Sequence, residues 1–312
     1  MKPASFEYHA PSSDKEVVGL LAELGDSAKV IAGGQSLVPV LALRLAVFDH
    51  LIDIRNAGLC GIERNGPESV RIGAGTTQGA IGRSGLVAEA VPLLARATPL
   101  IGHFQIRNRG TIGGSLAHAD AAAEYPAVSL AIGGVVETLS PRGQRTIPAT
   151  EFFTGIWSTA LAADELLTGV TFPVWRGRRG FAIEEFARRP GDFAVAGAAV
   201  AVELSDDGSR IRRCGIGLFG LGPTPLRATA AEAALTGAPL AGASTSGGLA
   251  EQIGQAAVAD LESVPADVHG SAGYRKRVGA AMVAAAVRRA IGEAASAPDG
   301  SQEASNQEAG NA

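Results

Sequence analysis

Cysteine is scarce in this chain, with only Cys60 and Cys214 among 312 residues. Two cysteines so far apart in sequence cannot build a disulfide framework and do not suggest a metal-binding pair. An iron–sulfur cluster normally needs four thiolates, so any such cluster that serves this protein must lie in another chain. The five histidines include no pair at the three- or four-residue spacing of a helical zinc site. The sequence therefore predicts no metal site.

A basic excess is also missing, since 27 Lys and Arg stand against 31 Asp and Glu and the formal net charge is −4. No block of Lys or Arg offers a footprint for a nucleic-acid backbone or an anionic membrane surface. No stretch approaches the ~18 apolar residues of a spanning helix, and the N-terminus lacks a signal-peptide pattern. We therefore expect a cytoplasmic protein with no transmembrane segment and no nucleic-acid partner.

Glycine, in contrast, occurs in pairs at two informative points. Residues 111–126 read as a glycine turn, then acidic side chains, then a helix: Thr111-Ile-Gly-Gly-Ser115 leads through Asp120 and Glu124 into Tyr125-Pro126. Glycine reaches φ > 0 and lets the backbone approach another molecule, and the exposed N–H groups of such a turn can hold an anion. A diphosphate suits it, but a tight strand-to-helix turn without a ligand fits this stretch equally well.

A second stretch of the same kind favours the ligand-binding interpretation over the plain turn. An apolar strand at Val30-Ile31 runs into Ala32-Gly-Gly-Gln-Ser36, where the polar pair opens a predicted helix. Gln35 and Ser36 could simply cap that helix. Two such turns in one chain predict two clamps on one extended ligand that carries phosphates.

A third glycine-rich stretch, Gly73-Ala-Gly75-Thr-Thr-Gln-Gly79, has to be weighed as a dinucleotide-binding Rossmann site. The Rossmann fingerprint is G-x-G-x-x-G, followed about twenty residues later by an acid at the end of a second strand. Here the third glycine is one place late, and a helical pattern around Pro92 follows instead of a strand. A Rossmann site is the minor alternative.

The periodicity divides the chain into three blocks and a tail. Residues 1–55 are βαβ-like, and residues 56–175 alternate strands and helices, with one helix expected from Ala88 to Ile101. A glycine-bearing boundary around residues 173–180 precedes a third block, 176–295, which has an antiparallel hairpin followed by helices. Residues 296–312 are rich in Ala, Ser, Gln and Glu, a composition that predicts a disordered tail.

Single residues outside the glycine turns are given structural interpretations. His118 is interpreted as a hydrogen-bonding side chain beside the second turn, and Trp157 and Trp175 as core or interface residues. Arg107 and Arg109 are interpreted as solvated or subunit-interface charges, although either could screen phosphates.

Taken together, these motifs resemble the FAD-binding medium subunit of molybdenum hydroxylases. The resemblance rests on Ala32-Gly-Gly-Gln-Ser36 with Leu51-Ile-Asp-Ile54, then on Thr111-Ile-Gly-Gly-Ser115 with Ala119-Asp120 and Tyr125-Pro126. The family includes the flavoprotein subunits of carbon monoxide dehydrogenase and of xanthine dehydrogenase-like enzymes. The resemblance covers roughly residues 1–290, everything but the tail.

The resemblance implies an α+β fold. Residues 1–55 and 56–175 would be two subdomains of a PCMH-type FAD-binding fold that enclose FAD. Residues 176–295 would be a C-terminal flavoprotein domain with an antiparallel sheet and a helix bundle.

The resemblance also implies a set of cofactor-binding residues. Glu124 matches a position where the family usually has an aspartate in contact with the flavin nucleotide, and Asp120 is an alternative carboxylate. Leu161 matches a position near the isoalloxazine. A basic residue that some relatives place near the flavin has no clear match, because Glu184-Glu185 precede Arg188-Arg189 here. The residues whose backbone would bind the diphosphate are Ala32, Gly33, Gly34, Gln35, Ser36, Thr111, Ile112, Gly113, Gly114 and Ser115.

The implied function is that of a FAD-containing electron-transfer subunit, with FAD bound non-covalently and no catalytic acid or base in this chain. Electrons would come from the iron–sulfur clusters of a small partner subunit, with molybdopterin held in a large partner, and the assembly would be a dimer of heterotrimers. One alternative is a self-contained flavin oxidase of the same FAD-binding fold. Another is a non-catalytic assembly or binding module.

Overall fold

The computed structural model describes residues 2–240 and 247–297, and the strands of that part form four sheets. Helices and strands are mixed along the chain, which confirms the predicted α+β class. No helix among the described residues is long and apolar enough to cross a bilayer. Of the residues 296–312 expected to form the tail, Ser296 belongs to the last helix, and residues 298–312 lie outside the described residues.

The N-terminal sheet is parallel, with its third strand in the centre in the order β1-β3-β2. The first helix begins after Ser13, whose hydroxyl accepts a hydrogen bond from the N–H of Glu16. It buries Val17 and Leu21, a spacing of one helical turn, in a small core shared with Ile52 of β3. The elements are β1 (Glu7–His9), α1 (Asp14–Leu24), β2 (Ala28–Ile31), α2 (Leu37–Ala42) and β3 (His50–Asp53).

The second sheet is antiparallel throughout, in the order β4-β5-β10-β6-β7. A Rossmann site needs parallel strands joined by a helix. Since β5 has only antiparallel neighbours, the glycine-rich stretch that follows it is not such a site. The elements are β4 (Ile62–Asn65), β5 (Ser69–Gly73), β6 (Val135–Ser140), β7 (Gly143–Pro148), α9 (Ala149–Phe152), the hairpin β8 (Phe153–Gly155) and β9 (Ser158–Thr159), and β10 (Leu166–Pro173).

Short helices connect β5 to β6. The single helix predicted for Ala88 to Ile101 is wrong: the structure has two helices and a 3₁₀ turn there. Pro92 opens the second helix and Pro99 lies in the 3₁₀ turn, and neither ring fits a helix interior. The helices are α3 (Gln78–Gly82), α4 (Gly85–Ala90), α5 (Pro92–Ala97), α6 (Phe104–Arg107), α7 (Ile112–His118) and α8 (Glu124–Ile132).

The C-terminal sheet has four antiparallel strands in sequence order. Every residue of its second strand is buried, because helices cover both faces of the sheet. One of the covering helices is α8, which belongs to the preceding block and is itself buried at every position. The elements are β11 (Arg179–Phe186), β12 (Ala196–Leu204), β13 (Ile211–Phe219), β14 (Leu226–Arg227), α10 (Thr229–Leu235), α11 (Gly247–Ala259) and α12 (Ala272–Ser296).

Trp175 lies at the junction of the second and third blocks. Only 3% of it is exposed, its indole N–H donates to the carbonyl of Ile132, and the Arg213 guanidinium lies 3.9 Å from the centre of its ring. Of the two interpretations offered for Trp175, the core position is therefore confirmed, and this ring has no apolar surface left to offer a partner. Trp157, in contrast, is 68% exposed.

Candidate functional site

The first glycine turn joins the end of β2 to the start of α2. Gly34 adopts φ +73°, a left-handed conformation that favours glycine. Gln35 donates a hydrogen bond from its side chain to the carbonyl of Gly33 at 2.9 Å, which folds the turn on itself. Ser36 precedes α2, but its hydroxyl makes no capping hydrogen bond, so the helix-capping alternative is not what the structure shows for this residue.

The backbone donors of this turn are available. No acceptor within the described part of the chain pairs with the N–H groups of Gly33, Gly34, Gln35 or Ser36, and all four residues are half-buried. A half-buried row of unpaired N–H groups is costly unless water or a ligand satisfies it, and an anion does so best. This turn has the donor set that a diphosphate needs.

The second glycine turn is built differently. Thr111 caps α7, and its hydroxyl accepts from the N–H of Gly114 at 3.0 Å. The N–H of Ile112 donates to Thr76 at 3.1 Å and that of Gly113 to Ala74 at 2.9 Å. The N–H groups from Ile112 to Ser115 are thus already used inside the protein, and the main contribution of this turn to a ligand site is the close approach that its glycines allow.

The glycine-rich stretch after β5 has a clear structural role. Its residues Ala74 and Thr76 receive the hydrogen bonds from the second turn, and Thr77 forms a β-bridge with Thr111. A Cβ on Gly113 would lie 2.5 Å from the Cβ of Ala74, so only glycine allows this approach. The stretch that resembles a Rossmann loop is the platform on which the second turn rests.

The two glycine turns contact each other directly. A Cβ on Gly33 would lie 2.2 Å from the carbonyl oxygen of Arg109 and 2.7 Å from the Cα of Gly110. A Cβ on Gly114 would lie 3.5 Å from that of Ala32. The structure therefore brings together residues some eighty positions apart, as the expectation of two clamps on one ligand requires.

The carboxylates that follow the second turn occupy different environments. Asp120 is half-buried, and its side chain accepts from the N–H of Ala122 at 2.8 Å. Glu124 opens α8 and is buried, and this burial raises its pKa to about 8, helped by the negative charges of Glu185 and Asp120. At neutral pH Glu124 is largely protonated and can donate a hydrogen bond, whereas Asp120 is the carboxylate nearer the solvent.

Glu185 is a further acidic residue of this region, and no motif of the sequence predicts a role for it. It lies near the end of β11, burial raises its pKa to about 7, and one of its oxygens is buried without a hydrogen-bond partner. Its neighbour Glu184 pairs instead with Arg289 on the last helix. The signal was in the sequence, since Glu184-Glu185 interrupts the expected basic position, but only the fold shows which glutamate points inward.

The remaining predicted residues follow the second turn along the chain. His118 is half-buried, and this burial lowers its pKa, with Lys29 adding to the effect and Asp120 opposing it. The indole of Trp157 is nearly parallel to the His118 ring, with centroids 6.4 Å apart. Leu161 follows the same β8–β9 hairpin, is half-buried and packs against the main core. His118 thus lies beside the turn, but the predicted hydrogen bond of its ring is not seen among the described residues, where its nearest polar partner is Asp120 at 3.9 Å.

The arginines differ from each other in their roles. Arg107 is not a free charge, because its guanidinium donates to the carbonyls of Ile101 and Gly102, both at 2.8 Å. Arg109 is exposed, and its backbone carbonyl meets the first turn. Arg188 and Arg189 are exposed on the β11–β12 connection, in which Gly191 rests against the ring of His103.

The described residues fit FAD by their own chemistry. The N–H groups of Gly33 to Ser36 have no partner among the described residues where the two glycine turns meet, and the chain also offers the buried carboxyl of Glu124 and the half-buried aliphatic side chain of Leu161. These features suit a diphosphate, a polar nucleotide contact and an apolar ring, respectively.

Comparison with known proteins agrees with this fit. Residues 4–175 match the family described as the FAD binding domain in molybdopterin dehydrogenase, and residues 181–290 match the CO dehydrogenase flavoprotein C-terminal domain. The nicotine 6-hydroxylase medium subunit of Paenarthrobacter nicotinovorans is 43% identical over 94% of this chain and 99% of its own length.

Two further matches are of the same kind. The 6-hydroxypseudooxynicotine dehydrogenase complex subunit alpha of the same organism is 41% identical over 93% of this chain and 96% of its own. A solved structure of carbon monoxide dehydrogenase from Hydrogenophaga pseudoflava aligns with a TM-score of 0.89 and 40% identity, over 94% of this chain and 99% of that one. This chain belongs to the FAD-binding medium subunits of the molybdenum hydroxylases.

Proposed function

We propose that this chain binds FAD non-covalently where its two glycine turns meet, and that it passes electrons from a partner's iron–sulfur clusters to an external acceptor. The observation that carries the proposal is the contact between the two turns, with the unpaired N–H groups of Gly33 to Ser36 at its edge. The first turn supplies the donors to the diphosphate. The second turn, from Thr111 to Ser115, supplies the close backbone approach.

The proposal also gives roles to the site residues outside the two glycine turns. Asp120 and Glu124 are the candidate contacts to the nucleotide, and Leu161 is the candidate neighbour of the isoalloxazine. FAD, when bound, accepts electrons singly and releases them singly or in pairs. The chain holds the cofactor, orients it and limits water, and no side chain here needs to act as a catalytic acid or base.

The partners follow from what this chain cannot supply. Cys214 is buried and Cys60 lies far from it in sequence, so the chain cannot hold an iron–sulfur cluster by itself. We propose a small iron–sulfur subunit and a large molybdopterin subunit as partners, in a cytoplasmic dimer of heterotrimers. The subunit names of the relatives, which are medium subunits or chains of larger enzymes, support this assembly.

The choice of substrate is determined by the whole complex and not by this subunit. Relatives of similar identity are named for nicotine hydroxylation and for carbon monoxide oxidation, two chemically unrelated substrates. A medium subunit so alike in both enzymes does not select between them. We therefore assign the choice of substrate to the large partner.

Anaerobic reconstitution tests the proposed function. The isolated chain loaded with FAD should be reduced by dithionite, yet its flavin absorbance should not change with aldehydes, purines or other heterocycles. Adding the small and large subunits should restore flavin reduction by substrate. Bleaching of the flavin by substrate with no partner present would contradict the proposal and favour a self-contained flavin oxidase.

The same preparation also tests the attachment of the cofactor. Denaturation should release all yellow colour from the polypeptide, because non-covalent FAD leaves with the fold. Colour retained on the chain would point to a covalent flavin. Absence of flavin even after co-expression with both partners would favour the binding-module alternative.

A further inference from the structure

Two histidines and a glutamate meet on the N-terminal sheet, away from the glycine turns. Nε2 of His9 and Nδ1 of His50 are 3.1 Å apart, and Nδ1 of His50 is 3.5 Å from a carboxylate oxygen of Glu7. One potential ligand atom from each residue lies within 4.8 Å of the other two. The sequence spacing gave no hint of this cluster, because His9 and His50 are 41 residues apart.

The sheet places these side chains together for a simple reason. Glu7 and His9 are two residues apart on β1, so they point to the same face. His50 on β3 is the register partner of Glu7, and parallel pairing puts it on that face as well. The cluster is therefore fixed by strand register and does not depend on a loop.

The distances match a metal site. Zinc binds histidine nitrogen at ~2.0–2.1 Å, and neighbouring ligands of a tetrahedron at that radius are about 3.3–3.4 Å apart. The two short separations in the cluster, 3.1 and 3.5 Å, bracket that value. The side chain of Glu7 is 67% exposed, so its carboxylate can adjust to an ion.

We propose that Glu7, His9 and His50 form a binding site for a divalent transition-metal ion of the zinc type. Two imidazoles and one carboxylate favour zinc and its neighbours over magnesium or calcium, which prefer oxygen ligands. The ion replaces the hydrogen atom of the hydrogen bond between Nε2 of His9 and Nδ1 of His50.

The site joins β1 to the sheet. β1 has three residues, is exposed on much of its surface and, within the described residues, pairs with β3 alone, so it is a strand of low local stability. An ion held by both strands closes a loop of some forty residues, which restrains opening as a cross-link does.

The site faces away from the proposed flavin site. Tyr8 and Lys29, both register partners of Leu51, point to the opposite face of the sheet. The charge of Lys29 acts on His118 beside the second glycine turn. Metal binding should therefore leave flavin content unchanged.

Zinc titration of the full-length, FAD-loaded chain, stripped of metal beforehand, tests the proposal. Competition with a chromophoric chelator should show one zinc ion per chain, and cobalt(II) should give the visible absorption of a tetrahedral site. His9→Asn and His50→Gln should each weaken zinc binding more than about 100-fold, since changes to outer-shell groups alone cost about 10–100-fold. Glu7→Gln, which keeps both rings, should give an intermediate affinity.

Two controls make the result decisive. His269→Asn removes an exposed histidine of another part of the chain and should bind zinc as the unaltered protein does. Hydrogen exchange of the peptide that contains β1 should slow with zinc, but not with magnesium, and stay fast in the His50→Gln protein, even if that variant is less stable. Equal zinc affinity in all variants, or no binding at millimolar zinc, would overturn the proposal.

Discussion

Gly33 has two roles that the sequence alone does not separate. Its N–H belongs to the unpaired set of the first turn, and its missing Cβ allows contact with the backbone of Arg109 and Gly110. Backbone atoms cannot rotate away as a side chain can. A substitution at Gly33 therefore disturbs the ligand site and also the packing of one turn on the other.

Gly33→Ala should abolish FAD binding and lower stability by about 1–3 kcal/mol, the usual cost of overpacking. Gly114→Ala should reduce flavin content with a smaller loss of stability, because its closest contact, at 2.9 Å, is the hydroxyl of Thr111, whose cap is worth about 1 kcal/mol. Gly19→Ala is the matched control, since a Cβ there meets nothing within 4 Å. Flavin absorbance and thermal unfolding measure both effects, and unchanged FAD affinity in both site variants would refute the clamp assignment.

Glu124 makes stability depend on pH. Its pKa is about 8 in the folded chain because of burial, against an ordinary value of 4.5. The unfolded chain therefore releases this proton first, and the free energy of unfolding falls as the pH rises from about 4.5 to about 8. Stability from this group is complete below that window and lost above it.

Glu124→Gln should remove this dependence in the flavin-free chain. The variant should match the unaltered protein at low pH and exceed it above about pH 8, by about 1–3 kcal/mol once relaxation of the interior is allowed for. Glu151→Gln, at an exposed position, should change nothing. Denaturant unfolding across this pH range is the measurement, and a stability difference that is constant with pH would contradict the assignment.

Glycines also decide how whole elements pack. Side chains are absent at Gly215 and Gly217 of β13 because the carbonyls of Ala131 and Ala127 on α8 would lie 1.8 and 2.0 Å from a Cβ. A Cβ on Gly180 of β11 would likewise lie 1.9 Å from the carbonyl oxygen of Ala290 on α12. One helix therefore packs against each face of the C-terminal sheet with its backbone in contact with the strand backbone. Of these two helices, α8 begins at Glu124 and so connects the acidic residues of the proposed flavin site to that sheet.

Gly217→Ala should therefore destabilise the protein by about 2 kcal/mol or more, because a Cβ has to displace the helix backbone. The expected fall in melting temperature is about 2–4 °C per kcal/mol for a chain of this size. Gly292→Ala, in α12 with open space around it, should have no such effect and could stabilise the helix. Equal melting temperatures for the two variants would show that the backbone of α8 does not pack against Gly217 of β13.

These packing glycines mark the limit of what the sequence could predict. The glycine turns and the antiparallel hairpin of β12 and β13 could be predicted because periodicity and turn chemistry are local. The split at Pro92 was missed because apolar spacing continues across it. The approach of α8 to Gly217, the inward position of Glu185 and the meeting of His9 with His50 depend on partners distant in sequence, and no local pattern encodes them.

At the scale of the whole molecule, the FAD-binding region and the C-terminal region are joined by specific polar contacts as well as by α8. Arg96 of α5 binds both carboxylate oxygens of Glu293 on α12, at 2.5 and 2.6 Å, and also the carbonyl of Phe181. Glu293 in turn accepts from the N–H of Phe181 at 3.1 Å. The last turn of α12 is therefore part of the junction.

Two truncations should distinguish the contribution of this junction to stability from that of the residues after Ala297. Deleting residues 298–312 should leave the melting temperature and flavin content unchanged, because Ala, Ser, Gln, Glu and Gly cannot bury enough apolar surface to offset the entropy of ordering. Deleting residues 290–312 removes Glu293 and the buried Ile291 and should lower both quantities. Thermal unfolding followed by flavin fluorescence distinguishes the two truncations. A large fall in melting temperature on the shorter deletion would show that residues 298–312 pack on the protein, and would refute the prediction made from their composition.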